Sequence, residues 1–568
     1  MSTFRRTALA SVINLALLGI PDAQAADSEA LEKRIRELEG RLAKMDQLEA
    51  RLEKLDQAAA LSAKPAAAVA VPAAPSPEVV KLTRKVNTLE RKLEVQDEVT
   101  TGAFKKLPTF EAGADGFKIT SSDKNHQLRI GSTIQADYRN FLGDNTPVWT
   151  PGATAETGYL QRVGPDSIFL RQARIILEGY VFKDIYFKIM PDFAQNSNTT
   201  NLIPDAYVDF AYVPQASLLV GKYKPSIGLE RLQGDTNTAF LERAFPTNLA
   251  PNRDVGIQVH GAFAMPGYKT ETAPGPIDTK NAFTYQVGIT DGTGDSGNAF
   301  GFGGPTNNNT SKSFASDKEF DGRIFAQPFQ HSGYAWLEGF GVGVAGSFSD
   351  PNHQAINAQR TPLGQSQFVD YTSLNGQTQN TTTARVITAN GGSNRIYPQA
   401  YWYKGPFGLM GEYVASTQTL NASGSAPTGA GSSRVNNITQ TNKAAQVQVS
   451  YVVTGEDNTF EGVKPMRNFD PFKGSWGALQ LAARWSELTV DSDTFKLLDP
   501  TKSASKATAA TFGANWFLNK NALIRFDYEY VSFNGGAGTT TGTGGSTVYH
   551  IANRPSEQVL STRFQLAF

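Results

Sequence analysis

The chain lacks cysteine altogether and has only five histidines among 568 residues. A disulfide scaffold, a thiolate-ligated zinc site and a cysteine nucleophile are therefore excluded. A histidine-rich metal site has too few residues to draw on. Neither sign of charge is in excess, with 53 basic against 53 acidic residues, so bulk attraction to nucleic acid is absent. No apolar run reaches the roughly 18 residues that a spanning helix needs. The mean hydropathy of −0.33 is too polar for a helical membrane protein. One membrane class tolerates all of these absences. In a transmembrane β-barrel every second residue faces the lumen, so the average composition is polar.

What is present begins with an export signal. Arg5 and Arg6 precede an uncharged, mostly apolar stretch from Thr7 to Ile20, and Ala23-Gln24-Ala25 is a small-x-small cleavage site. Residues 1–25 are thus expected to be a removable signal peptide. A heptad seam follows over 26–57: Leu31, Ile35, Leu38, Leu42 and Met45 are spaced 4, 3, 4, 3, and Leu48, Leu52 and Leu55 continue it after a stammer. A second seam over 79–99 uses Leu82, Val86, Leu89 and Leu93. Between them, residues 58–78 are Ala, Pro, Val and Ser with Pro65, Pro72, Pro75 and Pro77, a semi-rigid linker. Helices this short are marginal alone. The seams call for partner helices by self-association, or for one amphipathic helix folding back on its own chain.

From about residue 115 to 568 the pattern becomes strands of roughly ten residues separated by Gly, Asn, Asp and Ser clusters. The last is the clearest. Leu560, Phe564, Leu566 and Phe568 share one face, with Ser561, Arg563, Gln565 and Ala567 on the other. Ile524, Phe526, Tyr528 and Tyr530 alternate in the same way with Arg525, Asp527 and Glu529. Sixteen candidate strands start near Gln127, Ile168, Ile185, Asp205, Ser217, Asp254, Asn281, Glu319, Phe340, Arg395, Pro406, Lys443, Trp476, Lys506, Asn521 and Gln558. Tight turns at Lys183-Asp184, Gln215-Ala216, Lys404-Gly405 and Asn519-Lys520 alternate with long polar loops such as 143–166 and 351–394. The expected fold is all-β, a 16-stranded antiparallel transmembrane β-barrel preceded by a short α-helical coiled coil. The even strand number puts both barrel ends, and the coiled coil, on the periplasmic side. Phe568, in phase on the last strand, is the expected assembly signal for the barrel-insertion machinery.

Alternation projects Arg129, Arg139, Arg174, Lys222 and Lys224 into the lumen, together with Asp137, Glu178, Asp192, Asp205 and Asp209. A cluster of cations at a constriction selects anions. The same residues paired with carboxylates merely line a wet pore, and composition does not choose between these readings. The loop after the fifth strand differs from the others. It carries Glu230, Arg231, Asp235, Glu242, Arg243 and Arg253, and it is apolar at Phe240, Leu241, Phe245 and Leu249. Such a loop is expected to pack inside the barrel wall as a constriction, or against a neighbouring protomer. No catalytic motif is present: Gly301-Phe302-Gly303-Gly304 precedes no helix, and no Gly-x-Ser-x-Gly, His-Glu-x-x-His or P-loop occurs. Neither an enzyme nor a cofactor is called for.

Several stretches together resemble the phosphate-selective porin O and P family. These are Phe169-Leu170-Arg171-Gln172-Ala173-Arg174, Met190-Pro191-Asp192-Phe193, Val220-Gly221-Lys222-Tyr223-Lys224 running into Gly228-Leu229-Glu230-Arg231, Asn252-Arg253-Asp254-Val255-Gly256, Thr454-Gly455-Glu456-Asp457 and Asn515-Trp516-Phe517-Leu518-Asn519. The resemblance implies an outer-membrane homotrimer passing anions such as phosphate or polyphosphate through a lumen lined by Arg171, Arg174, Arg231 and Arg243. Two positions depart from the family's pattern. Gln172 stands where founding members have a second Arg, and Leu232 to Ala239 contain Asp235 but no phosphate-binding Lys. The coiled-coil extension departs as well. The expected function is a passive channel for small anions with weak phosphate selectivity. The alternative is a tethering protein whose coiled coil contacts peptidoglycan while the barrel anchors it in outer-membrane lipid.

Overall fold

The computed structural model describes residues 54, 77–104, 106–142, 166–194, 203–251, 253–271, 273–276, 278–292, 318–351, 354–371, 386–423, 437–541 and 548–568. The expected signal peptide, the first heptad seam except Lys54, and the linker except its last two residues lie outside these. Pro77–Phe104 is one helix, α1, and extends beyond the second seam at both ends. Proline suits the first helical turn because its missing N–H would have no intrahelical partner there. The 4, 3, 4 spacing of Leu82, Val86, Leu89 and Leu93 puts them on one face, where Leu89 and Leu93 are exposed. No helix among the described residues is long and apolar enough to cross a membrane, which says nothing of a barrel.

The rest is a closed antiparallel barrel of sixteen strands. They are β1 Gln127–Phe141, β2 Ser167–Val181, β3 Ile185–Met190, β4 Asp205–Phe210, β5 Ser217–Tyr223, β6 Asp254–Phe263, β7 Phe283–Thr290 and β8 Glu319–Ala326. The second half is β9 Phe340–Ser349, β10 Val386–Lys404, β11 Phe407–Ser423, β12 Asn437–Val452, β13 Ala478–Thr489, β14 Ala504–Phe517, β15 Ala522–Thr541 and β16 Glu557–Ala567. Each pairs with the next, and β16 closes on β1 from Val559↔Phe141 to Ala567↔Thr133. Closure satisfies every edge, which a bilayer demands. The outward rows are apolar: Ile257 and Val259 on β6, Val447 and Val449 on β12, Phe526 on β15 and Phe564 on β16 all stand exposed.

Two features differ from the sequence-based outline. A hairpin, Thr109–Gly113 with Gly116–Thr120, joins the sheet ahead of residue 115 by pairing with β1 from Phe117↔Ile130 to Thr120↔Gln127. It sits beside the end of the chain. Phe568 exchanges backbone hydrogen bonds with Ser132 (2.9 and 3.0 Å), and its ring meets Phe117 edge-on. Gly116 has φ 87°, and a Cβ there would lie 2.4 Å from the Ile130 carbonyl oxygen, so only glycine fits this close approach. Second, the turns at the end holding both barrel termini are not all tight. The connections 264–282, 327–339 and 453–477 are long, and the last contains the short hairpin of Asn458–Thr459 with Gly462–Val463.

The wall is low at β3, β4 and β5, of 6, 6 and 7 residues, and tall at β10 and β15, of 19 and 20. The loop between β5 and β6 starts from the low side and crosses to the tall one. There Ile227, Phe245 and Leu249 meet Phe368 and Val369 from the β9–β10 loop, Leu497 and Leu498 from the β13–β14 loop, and wall residues including Tyr397, Val414 and Phe533 in one buried cluster. A barrel interior would ordinarily be wet. Here apolar loop residues cover apolar inward positions, and burying each large side chain contributes about 1.5–3 kcal/mol.

Candidate functional site: a charged constriction loop

β2 sets up the site through one irregularity. Gln135 pairs with Gln172 and Ala136 with Leu170, so Arg171 is an extra residue opposite the β1 register. A bulge of this kind lets two consecutive residues face the same side. Arg171 and Gln172 both project inward: Arg171 Nε and Nη2 donate to Glu242 at 2.6 and 3.0 Å, and Gln172 Nε2 donates to Asp235 Oδ2 at 3.4 Å. Strict alternation would have sent Arg171 and Arg174 to opposite faces.

The loop of residues 224–253 is pinned to the wall by its backbone. Leu229 N donates to Glu412 on β11 (2.6 Å), Leu241 N to Asp527 on β15 (2.6 Å), and Asn515 on β14 donates to the Ala239 carbonyl (2.8 Å). Arg484 on β13 donates to Glu230 Oε1 (3.1 Å) and the Glu242 carbonyl (2.9 Å) while stacking over Phe240. Arg563 on β16 grips Asp137 with two 2.7 Å bonds and donates to the Leu241 carbonyl (2.7 Å) and to Glu242 (3.3 Å). Gly228, with φ 82°, makes the turn into the single helical turn Leu229–Leu232.

At the centre is Asp235. Its carboxylate is paired with Arg174, with Arg243, with Lys224 Nζ at 3.2 Å and with Arg253 Nη2 at 3.6 Å. Arg174 is shared with Asp192 (2.7 Å) and Arg253 with Asp205 (2.7 Å). Burial acts to raise the Asp235 carboxyl pKa, but Lys224, Arg243, Arg174 and Arg253 outweigh it and hold it well below the usual carboxylate range. For Glu242, burial is likewise outweighed, chiefly by Arg171, and its pKa falls to about 2.

The sequence-predicted residues separate by exposure. Arg129 and Arg171 keep about a third of their side chains exposed, 32% and 31%, and Arg243 keeps 19%. Arg174, Lys222, Lys224, Glu230 and Glu242 are buried, and Arg231 is half-buried. Arg139 is half-buried, donates to the Gly364 carbonyl (3.3 Å) and stacks over Phe169. Arg129 pairs with Glu178, which also accepts from Tyr186 at 2.8 Å. Lys222 pairs in register with Val255, whose side chain belongs to the exposed outer row, whereas Tyr223 pairs with Asp254. Arg484, Arg525 and Arg563 project inward as alternation predicts, yet each is almost fully buried beneath the loop. They hold the loop to the wall.

Two elements escaped the sequence reading. Arg253, the fourth partner of Asp235, was visible in the loop but was not among the candidate binders. The loop containing 354–371 was read as an external polar loop, yet it too folds inward. Leu363 N donates to Glu529 (2.7 Å), Arg554 to the Gln367 carbonyl (2.6 Å), and Asp370 N to Ser503 (3.0 Å). Leu363, Phe368, Val369 and Tyr371 carry the same apolar signal that exposed the first loop. Among the described residues no cluster of His, Asp or Glu could hold a metal ion.

A closed antiparallel barrel with an apolar outer surface and a charged loop folded into its lumen defines a porin. The model of the family Phosphate-selective porin O and P matches residues 159–568, and the chain belongs to that family. Porin O of Pseudomonas aeruginosa is 24% identical over 431 residues, 73% of this chain and 84% of that protein. Similar solved structures include the trimer form of OmpT from Vibrio cholerae (9% identity, TM-score 0.43, 78% of this chain and 99% of that one). Another is an anion-selective porin from Comamonas acidovorans (9% identity, TM-score 0.41, 78% and 100%).

Proposed function

We propose that the protein is a passive, water-filled outer-membrane channel for small anions whose preference for phosphate is weak. The observation that carries this reading is the Asp235 cluster. Four cations that could draw a permeating dianion already share one carboxylate of the protein itself. A phosphate entering there must compete with a tethered anion. The absent second Arg at Gln172 and the absent loop Lys weaken the pull further. What faces permeants is the partly exposed pair Arg129 and Arg171, themselves bonded to Glu178 and Glu242, so the positive bias of the lumen is modest. The working form is a homotrimer, with the amino-terminal coiled coil in the periplasm. Flux into proteoliposomes tests this: chloride and phosphate should enter at similar rates and faster than sodium, and a large excess of sodium flux contradicts it.

A second reading, a tether whose coiled coil contacts peptidoglycan, draws support from the apolar packing of three loops inside the barrel. Proteoliposomes that pass no ion at all would decide for the tether.

A further inference from the structure

The long turn between β12 and β13 presents apolar side chains that the channel does not use. Phe472 is 99% exposed, and Met466 and Trp476 are also exposed. Floppiness does not account for this, because the tip is built. Asp470 and Ser475 exchange backbone hydrogen bonds of 2.8 and 3.0 Å, and Asp470 Oδ1 accepts from Phe472 N (3.1 Å) and Lys473 N (3.2 Å). Gly474 supplies the positive φ, 68°, that closes the turn. A rigid turn that holds a fully exposed phenylalanine in water gains nothing from it, so the ring calls for a partner.

Its position says which partner. Phe469 and Trp476 pack on Trp516, at ring separations of 5.3 and 6.4 Å, and the Trp516 indole N–H donates to the Trp476 carbonyl at 2.7 Å. Trp516 lies on the same face of β14 as Phe512, which is in the exposed outer row. The turn therefore extends the lipid-facing wall at the end that holds the barrel termini. Lys464, Arg467 and Lys473 are exposed around the apolar residues. Aromatic rings flanked by basic residues suit the level of phospholipid headgroups. The same device recurs between β8 and β9, where the Trp402 indole N–H donates to the Trp336 carbonyl at 2.9 Å and Tyr334 and Trp336 stand exposed.

We propose that residues 464–476 form a membrane-interface anchor. Phe472, Met466 and Trp476 seat in phospholipid, and Lys464, Arg467 and Lys473 meet lipid phosphates. Basic residues near an anionic surface are drawn to it, so the anchor holds the barrel at a fixed depth and tilt.

The absence of cysteine makes the test direct. Phe472→Cys in the full chain is spin-labelled and reconstituted in phosphatidylethanolamine–phosphatidylglycerol vesicles. Glu271→Cys, in an exposed turn at the same end, is the control. Oxygen should relax the label at 472 more strongly than a water-soluble nickel chelate does, with the reverse at 271. Arg467→Glu with Lys473→Glu should shift the label at 472 toward the nickel chelate. Equal nickel access at 472 and 271 overturns the proposal in favour of a solvated turn. Strong spin–spin broadening between labels at 472 overturns it in favour of a contact between copies of the chain.

Discussion

Asp235→Asn should convert a self-satisfied constriction into an anion-binding one. The substitution keeps the shape but removes the charge shared by Arg174, Lys224, Arg243 and Arg253, and it replaces one accepting oxygen with an amide donor. Each close pair is worth about 4 kcal/mol in gross Coulomb terms at 4 Å and an effective dielectric near 20. Most of that is offset by desolvation, and a charge-assisted hydrogen bond contributes about 1.5–3 kcal/mol net. A phosphate that recovers one such contact should bind about 10- to 100-fold more tightly than in the unmodified channel. Removing the carboxylate also leaves buried like charges, so the variant should lose about 3–5 kcal/mol of stability in low salt and regain part of it as phosphate is added. The assays are phosphate block of chloride current and thermal unfolding over a phosphate series. Gln172→Arg with Thr236→Lys should also strengthen the block, but less, because Asp235 remains to neutralise the added charges. A folded, conducting Asp235→Asn channel with unchanged block and no phosphate-dependent melting would refute the reasoning.

Acid should loosen the loop. The carboxyl pKa values of Asp235 and Glu242 are depressed on folding. Their stabilisation is therefore complete above the unfolded values near about 4 and is lost as pH falls through the folded ones. The contribution of these two carboxylates to thermal stability should be constant from neutral pH to about 5 and fall toward pH 2, and Glu242→Gln should flatten that acid limb relative to the unmodified protein. Phe568→Asp should lower the amount of assembled barrel in the outer membrane, because it puts a charge on the outward face of the closing strand. Unchanged levels by heat-modifiable gel mobility count against the assembly role. Unheated detergent extracts should migrate as trimers, and residues 26–99 alone should be helical and self-associate. A monomeric extract by light scattering with an unstructured fragment by circular dichroism would remove that reading.

Strand number and barrel closure were legible because period-two alternation is strong wherever one face meets lipid. Phe564 and Leu566 against Arg563 and Gln565 needed nothing more. The inward position of the 224–253 loop was legible too, from Phe240, Leu241 and Phe245 in a segment that should have been polar. What the sequence concealed is pairwise geometry. Arg171 and Gln172 face inward together only because of a bulge, which alternation cannot anticipate. Asp235 reads in sequence as a lone repulsive charge, whereas in space four cations from β2 and from the loop itself enclose it. Alternation correctly sends Arg484, Arg525 and Arg563 inward, but it cannot say that a loop then covers them. The inward fold of 354–371 was missed because Gly and Gln residues around Leu363 and Phe368 diluted the apolar signal.

Single-channel recording in a planar bilayer, with the reversal potential read under a salt gradient and phosphate titrated in, tests the central claim most directly. The structure predicts steady open-channel conductance, a reversal potential shifted modestly toward that of the anion, and phosphate block only at high concentration. A cation-leaning reversal potential, or block by micromolar phosphate in the unmodified channel, would contradict the account of Asp235 as the occupant of its own anion site.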